Sequence, residues 1–205
     1  MHLLAVSKTC PGVSVRDAHA AGQRDFGENY VQEALAKIDE LADLRSELRW
    51  HLIGPLQSNK AREVATHFDW VHAVDRMKLA QRLSDLRPSE LPPLQVCLQV
   101  NISGEDSKSG VAPEAALALA REVAALPRLK LRGLMAIPEP AGDLAAQRVP
   151  HRALRELFEA MNAAGLGLDT LSIGMSADLE AAIAEGATWV RVGTAIFGSR
   201  PGKPA

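Results

Sequence analysis

Short runs of aliphatic and β-branched residues alternate along the chain with Ala- and Leu-rich stretches. The runs are Leu3–Ser7, Arg24–Gly27, Trp50–Ile53, Trp70–Val74, Leu94–Asn101, Leu131–Ile137, Thr170–Ile173 and Thr188–Val192. Most are continuous apolar blocks, the pattern of parallel strands covered on both faces. The fifth alternates, with Leu94, Val96, Leu98 and Val100 on one face and Gln95, Cys97, Gln99 and Asn101 on the other. That predicts either a polar inner face near a barrel mouth or an edge strand. Tyr30–Leu44, Asp75–Leu86, Pro113–Leu126 and Ala177–Glu185 read as helices, the first with Val31, Leu35, Ile38 and Leu41 or Ala42 along one buried stripe. Pro113 suits a first helical position, Ser176 an N-cap ahead of Asp178 and Glu180, and Gly186 a C-terminal cap. Pro150 predicts that Asp143–Ala164 is two pieces or a kinked helix.

Eight β/α repeats predict a single (β/α)8 barrel over residues 1–198 with a short tail at 199–205. A doubly wound open sheet is the alternative, but it usually has fewer strands, and no GxGxxG follows the first run. Hydrophobic residues make up 47% of the 205 and aromatics only 4%, so the core is aliphatic. Trp50, Trp70 and Trp189 fall at strand starts and read as packing residues toward the barrel bottom. With 23 basic and 25 acidic residues the net charge is −2, which excludes a nucleic-acid binder held by bulk electrostatics. No apolar run nears the ~18 residues of a membrane span, and the start lacks the cationic region of a signal peptide. The expectation is a cytoplasmic protein, with no membrane partner. Cys10 and Cys97 have no CxxC partner, and the six histidines form no HxH or HxxxH pair, so neither a disulfide nor a metal is expected.

Small, polar and charged residues collect at the C-terminal ends of the runs, where a barrel places its sites. Lys8 ends the first run. One reading is an amine in a low-dielectric pocket, with a lowered pKa and able to attack a carbonyl; the other is a lysine that snorkels to water. After runs seven and eight stand Ser172-Ile-Gly-Met-Ser176 and Arg191-Val-Gly-Thr194. Ser176 at a helix start would offer its hydroxyl and free amides to a phosphate, and Gly193 leaves room for a second set. A lysine facing a phosphate cradle suggests a phosphorylated aldehyde, with pyridoxal 5′-phosphate the candidate and Lys8 its Schiff-base partner. Arg191, pointing inward, would donate to the pyridine nitrogen without releasing its own proton, leaving the ring a poor electron sink.

Leu4-Ala5-Val6-Ser7-Lys8-Thr9, Phe26-Gly27-Glu28-Asn29-Tyr30-Val31-Gln32-Glu33 and His51-Leu52-Ile53-Gly54-Pro55-Leu56-Gln57-Ser58-Asn59-Lys60 carry a family resemblance. It continues through Arg132-Gly133-Leu134-Met135-Ala136-Ile137, Gly174-Met175-Ser176-Ala177-Asp178 and Val190-Arg191-Val192-Gly193-Thr194-Ala195-Ile196-Phe197-Gly198. In order and over nearly the whole chain, these motifs resemble the pyridoxal-phosphate homeostasis proteins (the YggS or PROSC family). The resemblance implies a barrel of the alanine-racemase N-terminal-domain type. It implies an internal aldimine on Lys8, phosphate contacts from Ser176 and the Gly193–Thr194 backbone, Arg191 at the pyridine nitrogen, and Asn29 and Met175 lining the pocket. It further implies a non-catalytic carrier or regulator in vitamin B6 and amino-acid balance. The protein would be a monomer or weak dimer, with pyridoxal-phosphate-dependent apoenzymes as partners. Two departures stand out: the usual helix before the first strand is lacking, and Cys10 occupies a position where a second lysine is common.

Two enzymes compete with this reading. A racemase needs an acid–base group on each face of the ring; Lys8 supplies one, and Tyr30, the only tyrosine, falls at a helix start. A Schiff-base aldolase would use a barrel lysine and a phosphate site without colour. Lys60 and Lys108 are the other amines, each in a setting that favours solvation. A scaffold without a ligand would leave the strand-end cluster unexplained.

Overall fold

A computed structural model describes residues 1–104 and 109–198. Eight parallel strands close into a barrel in sequence order, each followed by a helix. The order is β1 (His2–Val6), α1 (Gly12–Ala20), β2 (Asp25–Glu28), α2 (Val31–Glu40), β3 (Arg49–Leu52), α3 (Ala61–His67), β4 (Trp70–Val74) and α4 (Met77–Leu86). It continues with β5 (Leu94–Gln99), α5 (Pro113–Ala124), β6 (Leu129–Met135), α6 (Leu144–Ala163), β7 (Thr170–Ser172), α7 (Leu179–Ala184), β8 (Trp189–Val192) and α8 (Thr194–Phe197). Closure is made by β1 on β8, with His2 opposite Trp189 and Ala5 opposite Val192. The predicted barrel is therefore observed and the open sheet is not. The 199–205 tail and Lys108 lie outside the described residues.

The main core is the layer between sheet and helices. It joins the outward Phe26, Trp50, Val71, Val96, Leu98 and Leu134 to helix residues such as Ala34, Val64, Leu83, Leu119 and Leu154, all buried. This explains the alternation of the fifth run: its aliphatic face packs on helices, while Gln95, Cys97 and Gln99 turn inward. Inside the barrel are two smaller apolar groups, Leu4, Val6, Ile53 and Trp189, and Trp70, Ala73, Cys97 and Met135. Trp70 and Trp189 pack against each other and around His51 low in the barrel, whereas Trp50 faces the helix layer beside Phe26. All three are packing residues.

Two local expectations are settled. Of the alternatives for Asp143–Ala164, two pieces are excluded and a single helix remains: α6 runs through Pro150. Pro150 removes one backbone hydrogen bond, but the 20-residue helix is anchored by buried His151, Leu154 and Met161 and capped by Asp143 Oδ1 on the Ala146 amide at 2.8 Å. Ser176 is not an N-cap. That position belongs to Asp178, and α7 begins at Leu179, because Asp178 Oδ1 takes the Met175 amide at 2.7 Å and holds residues 175–178 as a turn. Gly186, at φ +85° directly after the helix, does close it as predicted.

Candidate functional site

A cavity of about 270 Å3 opens at the mouth formed by the C-terminal strand ends. Its lining includes Lys8, Asn29, Met175, Ser176, Arg191, Gly193 and Thr194, so the structure brings together all seven residues singled out from the sequence. Sequence reasoning missed its apolar wall of Val6, Ile53 and Ile137. The signal was available, since each is the inward residue at the end of its run.

Lys8 stands two residues past β1, half-buried, in a turn closed by the Cys10 amide on Ser7 O at 3.0 Å. The next residue, Thr9, sits at φ +64°, a left-handed conformation that a β-branched side chain resists. Strain of this kind persists only where neighbours over-determine it. Here Glu33 Oε1 accepts the Thr9 amide at 2.5 Å and Thr9 Oγ1 donates to Lys8 O at 2.6 Å. Lys37, on the next turn of α2, donates to Ser7 O, Glu28 Oε1 and Glu33 Oε1 at 2.7, 2.8 and 2.7 Å. Glu28 is fully buried, also accepts from Ser7 Oγ at 2.6 Å, and burial raises its pKa against the opposing pull of Lys37. The Glu28–Lys37–Glu33 cluster thus clamps the backbone on both sides of Lys8.

Opposite stand two turns. Gly174 takes φ +89°, and a Cβ there would lie 2.5 Å from the Ala182 Cβ, so only glycine lets the turn fold back onto α7. At Gly193 a Cβ would come within 3.2 Å of Val6 O across the β8–β1 closure. Among the described residues, the amides of Ser176, Ala177, Thr194 and Ala195 donate to no protein acceptor. Two sets of backbone donors in adjacent turns suit an anion such as phosphate. The Met175–Asp178 turn is braced from α6, where His151 Nε2 meets Asp178 Oδ2 at 2.9 Å.

Arg191 points inward from β8 and is buried, which excludes an outward salt-bridging role. Its Nη1 donates to Ser172 O at 2.7 Å and Nη2 to Ala136 O at 2.9 Å. Burial lowers its pKa to about 10, so it remains a cation at neutral pH. Lys60 is elsewhere, at the start of α3 beside Glu63 at 3.5 Å, on a separate depression shared with Tyr30 and Gln57. Among the described residues neither Cys10 nor Cys97 is in a disulfide, and no three His, Cys, Asp or Glu side chains group as metal ligands. No helix among the described residues is long and apolar enough to cross a membrane.

A closed parallel barrel with a lysine after the first strand and amide-rich turns after the last two defines the alanine racemase N-terminal class of barrel, and the sequence profile "Alanine racemase, N-terminal domain" matches residues 1–201. Alanine racemase from Corynebacterium glutamicum shares the fold, with a TM-score of 0.75 at 16% identity over 99% of this chain and 57% of that one. Within the class, the chain belongs to the family of pyridoxal phosphate homeostasis proteins. It is 67% identical over 204 residues to the protein of that name from Pseudomonas aeruginosa, covering 99% of this chain and 86% of the relative. The Escherichia coli protein of the same name is 55% identical, over 97% of this chain and 85% of its own. PipY of Synechococcus elongatus, solved with pyridoxal phosphate bound, superposes with a TM-score of 0.88 at 42% identity, over 97% of this chain and 92% of PipY.

Proposed function

We propose that the cavity holds pyridoxal 5′-phosphate, bound covalently through the Lys8 amine, and that the protein serves intracellular pyridoxal-phosphate (vitamin B6) homeostasis without strong catalysis of its own. One observation carries this reading: a single cavity joins a primary amine, a buried guanidinium and two turns with unused backbone amides. When bound, such a cofactor supplies an aldehyde that condenses reversibly with primary amines, releasing water. The Ser176 hydroxyl and the Gly193–Thr194 backbone hold the phosphate. Arg191 donates to the ring nitrogen and, because a guanidinium keeps its proton, does not protonate it. Asn29 and Met175 line the pocket, and Val6, Ile53 and Ile137 keep water from the ring.

Among the described residues no tyrosine lines this cavity. Tyr30 stands at the N-terminal end of α2, is 60% exposed and does not line the cavity, which favours the carrier reading over two-sided proton transfer. The proposed role is to carry or buffer the cofactor for apoenzymes that depend on it. Borohydride reduction followed by tryptic mass spectrometry tests the attachment: the adduct is expected on the Lys8 peptide and absent in Lys8→Ala. An adduct mainly on Lys60 or Lys108 would move the site. Deuterium exchange at the α-carbon of alanine that disappears in Lys8→Ala would replace the carrier reading with a racemase. A protein that stays colourless with pyridoxal phosphate yet is reductively trapped by a sugar phosphate would favour the aldolase.

A further inference from the structure

Behind Arg191, a line of polar side chains crosses the barrel interior. Arg191 Nη1 also reaches Ser172 Oγ at 3.1 Å, and Ser172 Oγ meets His72 Nδ1 at 2.9 Å. His72 Nε2 meets His51 Nδ1 at 3.0 Å, and His51 Nε2 meets Asp25 Oδ1 at 3.1 Å. Ser172, His72 and His51 are fully buried. The Asp25 side chain, at the opposite end of the barrel, is 15% exposed and lies 3.5 Å from Arg49 Nε. The line therefore links the cavity to the far mouth through β8, β7, β4, β3 and β2.

Donor and acceptor identities give the line a direction. A guanidinium only donates, and an ionised carboxylate only accepts. Asp25 accepts from His51 Nε2, which leaves His51 Nδ1 to accept from His72 Nε2. His72 Nδ1 is left to accept the Ser172 hydroxyl proton, while Ser172 Oγ accepts from Arg191. Reversal would require one more proton, on His51 or on Asp25. Burial opposes an imidazolium at either histidine, and the Arg191 charge opposes it further at His72.

We infer that Ser172, His72, His51 and Asp25 are positioning residues for Arg191, forming a one-way hydrogen-bond line in which both imidazoles are neutral Nε2–H tautomers. Among the described residues Arg191 makes no ion pair; carbonyl oxygens and the negative ends of oriented dipoles surround it instead. A carboxylate placed directly on the guanidinium would compete for the donors that face the cavity. The line keeps the counter-charge at the far mouth and fixes the plane of the guanidinium. Its functional consequence rests on the reading of Arg191 as the residue facing the cofactor ring.

Long-range 15N–1H correlation NMR on histidine-labelled protein reads both tautomers directly. The expected result is Nε2–H for His51 and His72 in the full chain, with assignment by His51→Asn and His72→Asn. An Nδ1–H tautomer or an imidazolium at either position in neutral buffer overturns the inference. Ser172→Ala cuts the line next to Arg191. It should weaken pyridoxal-phosphate retention roughly tenfold, the effect of one charge-assisted hydrogen bond, and shift the visible absorption of the loaded protein. Ser172→Thr, which keeps the hydroxyl, should restore both. Unchanged retention and spectrum in Ser172→Ala would remove the line's role, even with Lys8 still trapping the cofactor. Absence of the Lys8 adduct in the parent chain would instead sink the cofactor reading, and the tautomers would still decide the direction of the line.

Discussion

Replacing Lys37 by methionine keeps the length of the side chain and most of its packing, and removes the only cation bonded to Glu28 among the described residues. The consequence follows from burial. Lys37 is 5% and Glu28 0% exposed, and Glu28 Oε2 already lacks a partner. Without Lys37 the carboxylate is an uncompensated buried charge, a loss typically worth about 3–5 kcal/mol. Protonation offers an escape. Neutralising a carboxyl of ordinary pKa at pH 7 costs about 3.4 kcal/mol, which caps the charge penalty near the lower end of that range. The bonds to Ser7 O and Glu33 add about 1 kcal/mol each. Urea denaturation at pH 7 should therefore show a loss of roughly 3–5 kcal/mol, a large share of a typical domain's stability. The sign with pH is fixed by Glu28, whose folded-state pKa lies above its ordinary 4.5 because of burial. The folded state then binds more protons than the unfolded one, so stability contributed by the neutral form is complete at low pH and is lost as pH rises through the raised pKa. The Lys37→Met deficit should shrink as pH falls toward 4.5. Adding Glu28→Gln should recover most of it at pH 7, since a neutral amide needs no counter-charge. A deficit below about 1 kcal/mol, or a double variant as unstable as the single one, would refute a load-carrying ion pair beneath the Lys8 turn.

Glu185 receives Arg148, Arg152 and Arg155 at 2.7, 3.0 and 3.4 Å, and the Arg152 hydrogen bond leads in pulling its pKa down to about 2. Its contribution should be complete above pH 4.5 and lost as pH falls toward 2; because the arginines are a third to half exposed, Glu185→Gln should cost only about 1–2 kcal/mol by thermal melting at pH 7. Gly174→Ala forces a Cβ into a left-handed position against Ala182 and should destabilise by about 1–3 kcal/mol, with weaker pyridoxal-phosphate retention by equilibrium dialysis; a neutral alanine would mean that the turn is not held as described. Ser176→Ala should weaken retention by roughly 1–3 kcal/mol if the hydroxyl bonds the phosphate, and unchanged affinity would leave the anion to backbone amides alone.

The strands were legible because a buried parallel strand is a local, continuous apolar block. Trp70–Val74 matches β4 at both ends, and the other runs differ by a residue or two at one or both ends, as in β6, which starts at Leu129 rather than Leu131. The run ending at Asn101 yields a strand that ends at Gln99, because Val100 keeps only an isolated bridge to Val111. Helix α1 was harder to read, since among Gly12–Ala20 only Gly12 and Val15 are buried and the periodic stripe is thin. The Ser176 cap failed for a different reason. Ser-x-Asp-x-Glu satisfies the cap pattern locally, but Asp178 is drawn to the Met175 amide and to His151, which lies 27 residues earlier in the chain.

The site divides along the same line. Lys8, Asn29, Ser176, Gly193 and Thr194 were legible because a barrel gathers eight separate strand ends at one mouth, so position along each strand predicts convergence. The residues that support them obey no such rule. Ser172 and His72 lie 100 residues apart, and His72 and His51 lie 21 apart; only closure of the sheet makes them neighbours. Their trace in the sequence is faint but physical. Each histidine follows a tryptophan-led strand start, at an inward position where an aliphatic side chain would serve the core without needing a partner. A buried polar residue in such a place must find a hydrogen bond across the lumen, so the pair announces an interior network even when spacing cannot say which residues complete it. The Lys8 turn is the same case on the outer face. Glu28 interrupts an apolar strand end, and Lys37 falls on the buried stripe of α2, two charges that burial tolerates only because they meet each other.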